Sequence, residues 1–238
     1  MSALLTIGGL SKNFGGFAAL TDVSLSVAQG ERFGLIGPNG SGKTTLINCV
    51  SGLLRNDAGS IVFAGEEVSR LPAYQRTRRG IARSFQVPRP FHSMTVLENL
   101  LVPSAYVGHV KDAEGEPRAM ELLKSIGLAD KANAHASELS QVELRKLELA
   151  RAMAAQPKLL ISDEAMAGLA GNEVDEVLAI LFKLNESGIT IIMIEHIMQA
   201  VMRFSQRVVC LDAGKIICEG APAEIVKNAD VQKAYLGA

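Results

Sequence analysis

The hydrophobic pattern in the first third of the chain is that of short β-strands separated by turns. Apolar residues alternate with polar ones, or run together, at residues 4–7, 23–27, 32–36, 60–64 and 81–86. Gly15-Gly16 and Gln29-Gly30 mark two of the turns between these runs. Residues 45–54 and 72–79 follow the helical period instead. The pattern therefore predicts a β-rich start that contains two short helices.

A different pattern, with apolar residues three and four positions apart, extends over residues 94–156. Leu123, Leu144 and Leu147 recur at this spacing, which is typical of amphipathic helices around a small core. A polar stretch with glycine and proline, residues 107–117, interrupts the pattern. We therefore expect helices on both sides of a break at residues 107–117.

After Pro157, apolar strands and helices alternate again. The predicted strands are residues 159–162 and 190–194, the helices are 172–186 and 197–204, and a hairpin at 207–218 turns at 212–214. Strands that alternate with helices and are continuously apolar indicate a parallel sheet covered on both faces. We therefore predict an α/β fold in three segments. Residues 1–88 form a β-rich part and the start of the core, 89–156 form a helical insert, and 157–238 complete the core.

Composition and charge exclude several classes of protein. The chain has 238 residues with a formal net charge of −1, which argues against a nucleic-acid partner because such proteins are strongly basic. Cys49, Cys210 and Cys218 form no CxxC pair and have no histidine nearby, so we expect reduced thiols. Neither a signal peptide nor an apolar run of membrane-spanning length is visible. We therefore expect a cytoplasmic protein that does not itself cross a membrane.

A glycine-rich segment directly after the apolar run 32–36 carries the first chemical signal. It satisfies the pattern G-x-x-x-x-G-K-[ST], in which backbone N–H groups curl around phosphate oxygens at a helix N-terminus. In this pattern the lysine reaches the β- and γ-phosphates and the hydroxyl binds Mg²⁺. The residues expected to bind the nucleotide are Gly37, Pro38, Asn39, Gly40, Ser41, Gly42, Lys43, Thr44 and Thr45. The alternative is a glycine-rich turn without a ligand.

Two acidic residues, Asp163 and Glu164, end the apolar run that begins at Leu159. Ligand sites in parallel α/β sheets gather at the carboxyl ends of strands. There an aspartate can hold Mg²⁺ through water, and a neighbouring glutamate can polarise the attacking water. The alternative is an acidic pair at a helix N-terminus, which the helix dipole favours. With the phosphate loop upstream, we interpret the pair as catalytic.

Further residues fall in an order that resembles the nucleotide-binding subunit of an ABC transporter over essentially the whole chain. Phe14 lies where this family stacks an aromatic ring on adenine, and Gln86 lies where a glutamine approaches Mg²⁺ and the membrane subunit. His196 lies at the position of the family's switch histidine. Each has an alternative: Phe14 as a core aromatic, Gln86 as an exposed strand end and His196 as a core imidazole.

The resemblance implies a nucleotide-hydrolysing fold of the P-loop NTPase class. It consists of an N-terminal β-rich subdomain, a RecA-like parallel-sheet core and an inserted helical subdomain. It also implies ATP and Mg²⁺ as cofactors, with Mg²⁺ held by Thr44, Gln86 and Asp163, and with Glu164 and His196 as catalytic residues. A second, identical or homologous subunit would contact the ATP through its signature segment. The residues of that segment are Ser140, Gln141, Val142 and Glu143.

Within the family, several stretches look like importers of branched-chain (hydrophobic) amino acids. They are FQVPRPFHSMTVLENLLV, LRKLELARAM, DEAMAGL, ITIIMIEHIMQAV and the C-terminal AYLG. This resemblance implies integral membrane permease subunits as partners, and indirectly a periplasmic or extracellular substrate-binding protein. It places the chain on the inner face of the cell membrane. The substrate class follows by analogy only.

The signature segment departs from the family pattern L-S-G-G-Q, because Val142 stands where a glycine is usual. A valine resists positive φ and brings two methyl groups into a narrow gap. Ser140 and Glu143 have the spacing of a helix capping box, which is the alternative role for this serine. Ala165 also replaces a common proline.

These departures leave two possibilities: an importer subgroup with a relaxed signature, or one half of a heterodimer. We favour an active subunit paired with a similar, non-identical one. The rival interpretations are a soluble ABC-type ATPase without a membrane partner, a catalytically weak regulatory subunit, and a P-loop kinase or GTPase. The kinase or GTPase fits poorly, because the acidic pair is followed directly by a long helix and a histidine follows the next strand.

Overall fold

The computed structural model describes residues 3–107 and 112–236. Its strands are β1 (Ala3–Phe14), β2 (Phe17–Ala28), β3 (Arg32–Ile36), β4 (Ala58–Phe63), β5 (Glu66–Glu67), β6 (Ile81–Ser84), β7 (Leu159–Asp163), β8 (Thr190–Ile194), β9 (Arg207–Asp212) and β10 (Lys215–Gly220). Its α-helices are α1 (Lys43–Ser51), α2 (Ala73–Arg79), α3 (Val96–Tyr106), α4 (Asp112–Ser125), α5 (Gln141–Ala154), α6 (Gly171–Glu186), α7 (Met198–Phe204), α8 (Pro222–Ile225) and α9 (Ala229–Leu236).

The central layer is a six-stranded sheet in the order β10-β9-β3-β8-β7-β6. All neighbouring strands are parallel except β10, which pairs antiparallel with β9 at the edge. β7 and β8 are buried along their whole length, as expected for strands with helices on both faces. The predicted parallel core is confirmed, and it brings the carboxyl ends of β3, β6, β7 and β8 to one edge.

A second sheet, in the order β2-β1-β4-β5, is antiparallel throughout. Its buried side chains, such as Leu5 and Leu20, form one apolar cluster with Phe33 of β3 and Leu46 of α1. Burial of this shared cluster holds the β-rich part against the core, since each fully buried side chain of this size contributes about 1.5–3 kcal/mol. The turn between β1 and β2 projects from this sheet toward the phosphate loop.

Helices α3, α4 and α5 lie in the chain between β6 and β7, which are neighbours in the sheet. Leu100, Leu123 and Leu147 of the three helices are fully buried in a common apolar cluster. Thr95 caps α3, because its hydroxyl accepts from the Glu98 N–H at 3.1 Å while the Glu98 carboxylate accepts from the Thr95 N–H at 2.8 Å. The predicted helical insert is therefore present.

The predicted break at residues 107–117 is too long at its C-terminal end. α4 begins at Asp112 and contains Pro117, so residues 112–117 are helical. Residues 108–111 are not among the residues that the structure describes. Pro117 is the sixth residue of α4, where a proline removes one intrahelical hydrogen bond and crowds the carbonyl four residues before it, at a cost of about 3 kcal/mol. Burial of Ala119 and Leu123 against the insert offsets this cost and keeps the segment helical. No helix in the described part of the chain is long and apolar enough to cross a bilayer.

Candidate nucleotide-binding and hydrolysis site

The phosphate loop occupies the turn between β3, which ends at Ile36, and α1, which begins at Lys43. Gly42 has φ of +105°, and a Cβ there would lie 2.8 Å from the Ala19 carbonyl oxygen, so glycine is required. The Lys43 ammonium folds back over the loop and donates to the carbonyls of Gly37 at 2.7 Å and Pro38 at 3.0 Å. Burial lowers the pKa of Lys43, and the Glu164 carboxylate opposes that shift.

Glu164 faces this loop and is held from two sides. Its Oε1 lies 2.8 Å from His196 Nε2, and its Oε2 accepts from the Gln86 side-chain amide at 2.5 Å. The three residues follow β7, β8 and β6, so the parallel register of the sheet brings them together from distant parts of the chain. Glu164 has φ of +49°, and non-glycine residues held in that region cluster at functional sites.

Asp163 has a partner that the sequence did not predict. Its carboxylate forms a buried ion pair with Arg83 at 2.6 Å, and the same guanidinium donates to the Asn48 side chain at 2.6 Å. The aspartate is 6% exposed and does not line the cavity at the phosphate loop. Arg83 was visible in the sequence only as a cation inside an apolar run, which is an unusual place for a charge.

The residues expected to hold Mg²⁺ fit that ion by donor chemistry. Thr44 supplies a hydroxyl, Gln86 an amide oxygen and Asp163 a carboxylate, and Mg²⁺ prefers such hard oxygen donors. Among the described residues, no cluster of three or more His, Cys, Asp and Glu side chains could hold a metal alone. This agrees with an ion that takes further ligands from nucleotide phosphates and water.

A cavity of about 270 Å³ joins these elements. The phosphate loop from Asn39 to Thr45 lines this cavity together with Glu164, His196, Phe14 and Phe17. Phe14 and Phe17 are 48% and 63% exposed, so the alternative of Phe14 as a core aromatic is wrong. Phe17 was missed because the sequence offered no separate signal for it. The cavity can accept phosphates at the loop and a flat base at the aromatic rings.

The signature segment lies at the start of α5 and does not line this cavity. Ser140 caps the helix: its hydroxyl accepts from the Glu143 N–H at 3.4 Å, and the Glu143 carboxylate accepts from the Ser140 N–H at 2.8 Å. The predicted capping box is confirmed. From the sequence, Val142 is expected to be unfavourable because valine resists positive φ. This expectation is wrong, because Val142 is the second residue of a regular helix and has no positive φ.

A buried polar network connects the signature helix to the catalytic edge of the sheet. The Arg145 guanidinium donates to the carbonyls of Gln86 and, at 3.1 Å, of Ala167. Nearby, the Glu195 carboxylate accepts from the Met166 N–H at 2.9 Å. Glu195 is 2% exposed, and burial raises its pKa to about 7. Sequence reasoning gave neither residue a role. Glu195 had a signal, because it is a charge at the end of the apolar run 189–194, whereas Arg145 lies among other charged residues and had none.

Comparisons with known proteins agree with this geometry. Residues 20–167 match the ABC transporter family model, and residues 215–238 match a model described as "Branched-chain amino acid ATP-binding cassette transporter". The high-affinity branched-chain amino acid transport ATP-binding protein LivG of Salmonella typhimurium is 40% identical over 98% of both chains.

Solved structures give the same result. The ADP conformation of MJ1267, an ATP-binding cassette of an ABC transporter, has a TM-score of 0.92 at 31% identity over 100% of both chains. A dimeric post-hydrolysis state of the ATP-binding cassette MJ0796, bound to ADP and Pi, has a TM-score of 0.82 at 26% identity over 92% of this chain and 98% of that one. With its phosphate loop and its paired Glu164 and His196, this chain belongs to the ABC transporter family as an ATP-binding, ATP-hydrolysing cassette.

Proposed function

We propose that this chain powers a membrane importer of branched-chain amino acids or related small organic solutes by hydrolysing ATP. The observation that carries the hydrolytic part is Glu164, which is held by Gln86 and His196 and lines the same cavity as the phosphate loop. The similarity to LivG over nearly the whole of both chains supports the substrate class. The C-terminal match to the branched-chain family model supports it independently.

In this mechanism the loop N–H groups and Lys43 bind the β- and γ-phosphates and offset their charge. Glu164 orients a water molecule for attack and accepts its proton. His196, 2.8 Å from that carboxylate, contacts the γ-phosphate from the adjacent strand end. Mg²⁺, when bound with the nucleotide, neutralises phosphate charge, and Thr44, Gln86 and Asp163 are the residues that would hold it. Asp163 would act through water, because its carboxylate is paired with Arg83 and lies outside the cavity.

We further propose that two such subunits enclose the ATP between one phosphate loop and the other's signature segment. Ser140 is exposed and lies outside its own cavity, so it is available to a second subunit. The dimeric arrangement of MJ0796 supports this proposal. The second subunit is identical to this chain or a homologue of it, and Val142 favours a homologue that carries a regular signature.

A groove beside the Gln86 segment is the proposed contact with the permease. It has a volume of about 380 Å³ and lies between the core and the helical insert. Leu53, Phe85, Phe91 and Tyr106 line it and are 37–72% exposed. An apolar surface of this kind typically marks a protein interface, and Phe85 adjoins Gln86. Movement of a bound permease segment would therefore displace Gln86 and, through its hydrogen bond, the Glu164 carboxylate.

The test combines membrane association with transport. The tagged chain is purified in detergent from its own organism and examined for integral membrane subunits, and leucine uptake is compared with glutamate uptake in cells lacking the chain. We expect co-purified permeases and a selective loss of leucine uptake, restored by the wild-type chain and not by Glu164→Gln. A chain that hydrolyses ATP without any membrane subunit, with uptake unchanged, would support the soluble ATPase instead.

A further inference from the structure

The C-terminal helix α9 ends beside the phosphate loop. The Gly37 N–H donates to the Tyr235 hydroxyl oxygen at 2.9 Å, although the two residues are 198 positions apart. The carbonyl of the same glycine accepts from the Lys43 ammonium at 2.7 Å. One residue therefore connects the tyrosine to the lysine of the phosphate loop through two consecutive hydrogen bonds.

The Gly37 N–H lies just past the end of a strand ladder. The pairing of β3 with β9 ends at Ile36 and Cys210, so the next N–H donates its hydrogen bond to a side chain instead of to a strand carbonyl. Gly37 is also closely confined, because a Cβ added there would lie 2.1 Å from the Leu211 carbonyl oxygen. The peptide is thus fixed by β9 on one side and by Tyr235 through its N–H.

The helix that carries Tyr235 is itself anchored. The Asn228 side chain accepts from the N–H groups of Asp230 at 2.9 Å and Val231 at 3.1 Å, which caps α9. Val231 is 5% exposed and belongs to the apolar cluster that also contains Ile225 of α8. Tyr235 as a whole is 41% exposed, and partial burial of its hydroxyl raises the pKa of that group. The hydroxyl therefore reaches the loop from a fixed support.

We propose that Tyr235 is a positioning residue of the ATPase, whose hydroxyl fixes the Gly37 peptide and thereby the position of the Lys43 ammonium in the phosphate cavity. The proposal rests on ATP binding at this loop. Its consequence is that the C-terminal segment adjusts the affinity of the cassette for nucleotide, although no residue of α9 lines the cavity.

The test is Tyr235→Phe, which removes the hydroxyl and keeps the ring. We expect the KM for ATP to rise about three- to tenfold, as loss of one hydrogen bond predicts, while kcat stays within twofold. The control is Tyr74→Phe, an exposed tyrosine on α2 whose hydroxyl accepts only from the adjacent Gln75 at 3.1 Å in the described structure. The control should leave both constants unchanged.

Amide hydrogen exchange of the nucleotide-free protein gives a second measurement that does not depend on catalysis. In Tyr235→Phe the peptide covering residues 33–43 should exchange at least threefold faster, with the unfolding midpoint and the exchange of the β7–β8 peptides unchanged. Unchanged exchange in residues 33–43 overturns the proposal, and so does a KM equal to that of the wild type. A wild-type chain that neither binds nor hydrolyses ATP would instead contradict the proposed function.

Discussion

Glu164 combines a strained backbone with a doubly held side chain. Its φ of +49° lies in a region that costs most non-glycine residues stability, and its N–H is fixed to the Ile194 carbonyl at 2.8 Å. This conformation turns the carboxylate from the strand end toward the phosphate loop. The strained backbone at Glu164 is therefore explained by the need to place its carboxylate beside the phosphate loop.

We expect Glu164→Gln to reduce kcat by about 100-fold or more while the affinity for MgATP stays within a fewfold of the wild type. The amide keeps the shape of the side chain but cannot accept a proton from water, and such a loss typically costs this much. Steady-state hydrolysis and calorimetric titration with MgATP measure the two quantities, with Glu173→Gln on α6 as control. Unchanged turnover in Glu164→Gln would rule out this residue as the base.

Glu195 is the buried acid nearest to the catalytic carboxylate. Its pKa of about 7, raised mainly by burial and also by Glu164, compares with 4.5 in an exposed glutamate. Between these two values the folded protein holds a proton that the unfolded chain has lost. This residue therefore contributes stability below about pH 4.5 that is lost progressively as the pH rises to about 7, by at most about 3 kcal/mol.

We expect Glu195→Gln to be at least as stable as the wild type, with a difference that grows from pH 5 to pH 8. Glutamine still accepts from the Met166 N–H and has no charge to bury. Denaturant unfolding across this pH range measures the effect, with the exposed Glu186→Gln as control. A stability difference that is constant from pH 5 to pH 8 would contradict the raised pKa.

At the scale of elements, α5 links the signature segment to the catalytic edge. Its N-cap Ser140 is exposed, and Val142 in its first turn is half-buried against the apolar cluster of the insert and core. The buried Arg145 in its second turn donates to the carbonyls of Gln86 and Ala167. A displacement of the helix would therefore move the loops on both sides of Glu164. Contact of a second subunit with the start of α5 could therefore change the position of the residues at the site of hydrolysis.

We expect Val142→Gly to raise steady-state ATPase activity severalfold, because it removes two methyl groups from the segment proposed to contact the other subunit's nucleotide. Glycine in the first turn of α5 costs up to about 1 kcal/mol, so Val142→Ala serves as the matched control with better helix propensity. Both variants should be faster than the wild type. If neither is, the valine does not limit turnover, and an obligate partner with its own signature becomes the better explanation.

At the scale of the whole molecule, the groove near Gln86 is the proposed contact with the permease, and a substitution there can test coupling separately from nucleotide binding. We expect Tyr106→Glu to leave the MgATP affinity of the isolated chain unchanged and to reduce solute uptake and co-purification of the permease by at least fivefold. A charge in an apolar contact remains unpaired once it is buried. Val226→Glu, at an exposed apolar position that does not line the groove, is the control. Equal effects of both variants would show that this groove is not the contact.

Local spacing predicted those features that depend on neighbouring residues. The phosphate loop, the capping box at Ser140, the apolar strands β7 and β8 and the helical insert are all of this kind. Features that depend on side chains from distant elements were not predictable. The pairing of Arg83 with Asp163 and the hydrogen bond from Gly37 to Tyr235 require the sheet order, which periodicity does not specify. The segment boundaries at residues 88 and 156 and the roles of the site residues stay predictions.

The order of strands in the six-stranded sheet also bears on how the protein is made. β3 lies between β8 and β9, so the strand that leads into the phosphate loop leaves the ribosome long before its neighbours are synthesised. Until residues 190–212 emerge, a nascent chain carries the nucleotide-binding motif on an apolar strand without a sheet partner, a state prone to aggregation. Tyr235 emerges later than any of these strands. A chain truncated after the helical insert therefore retains the motif and lacks the binding site.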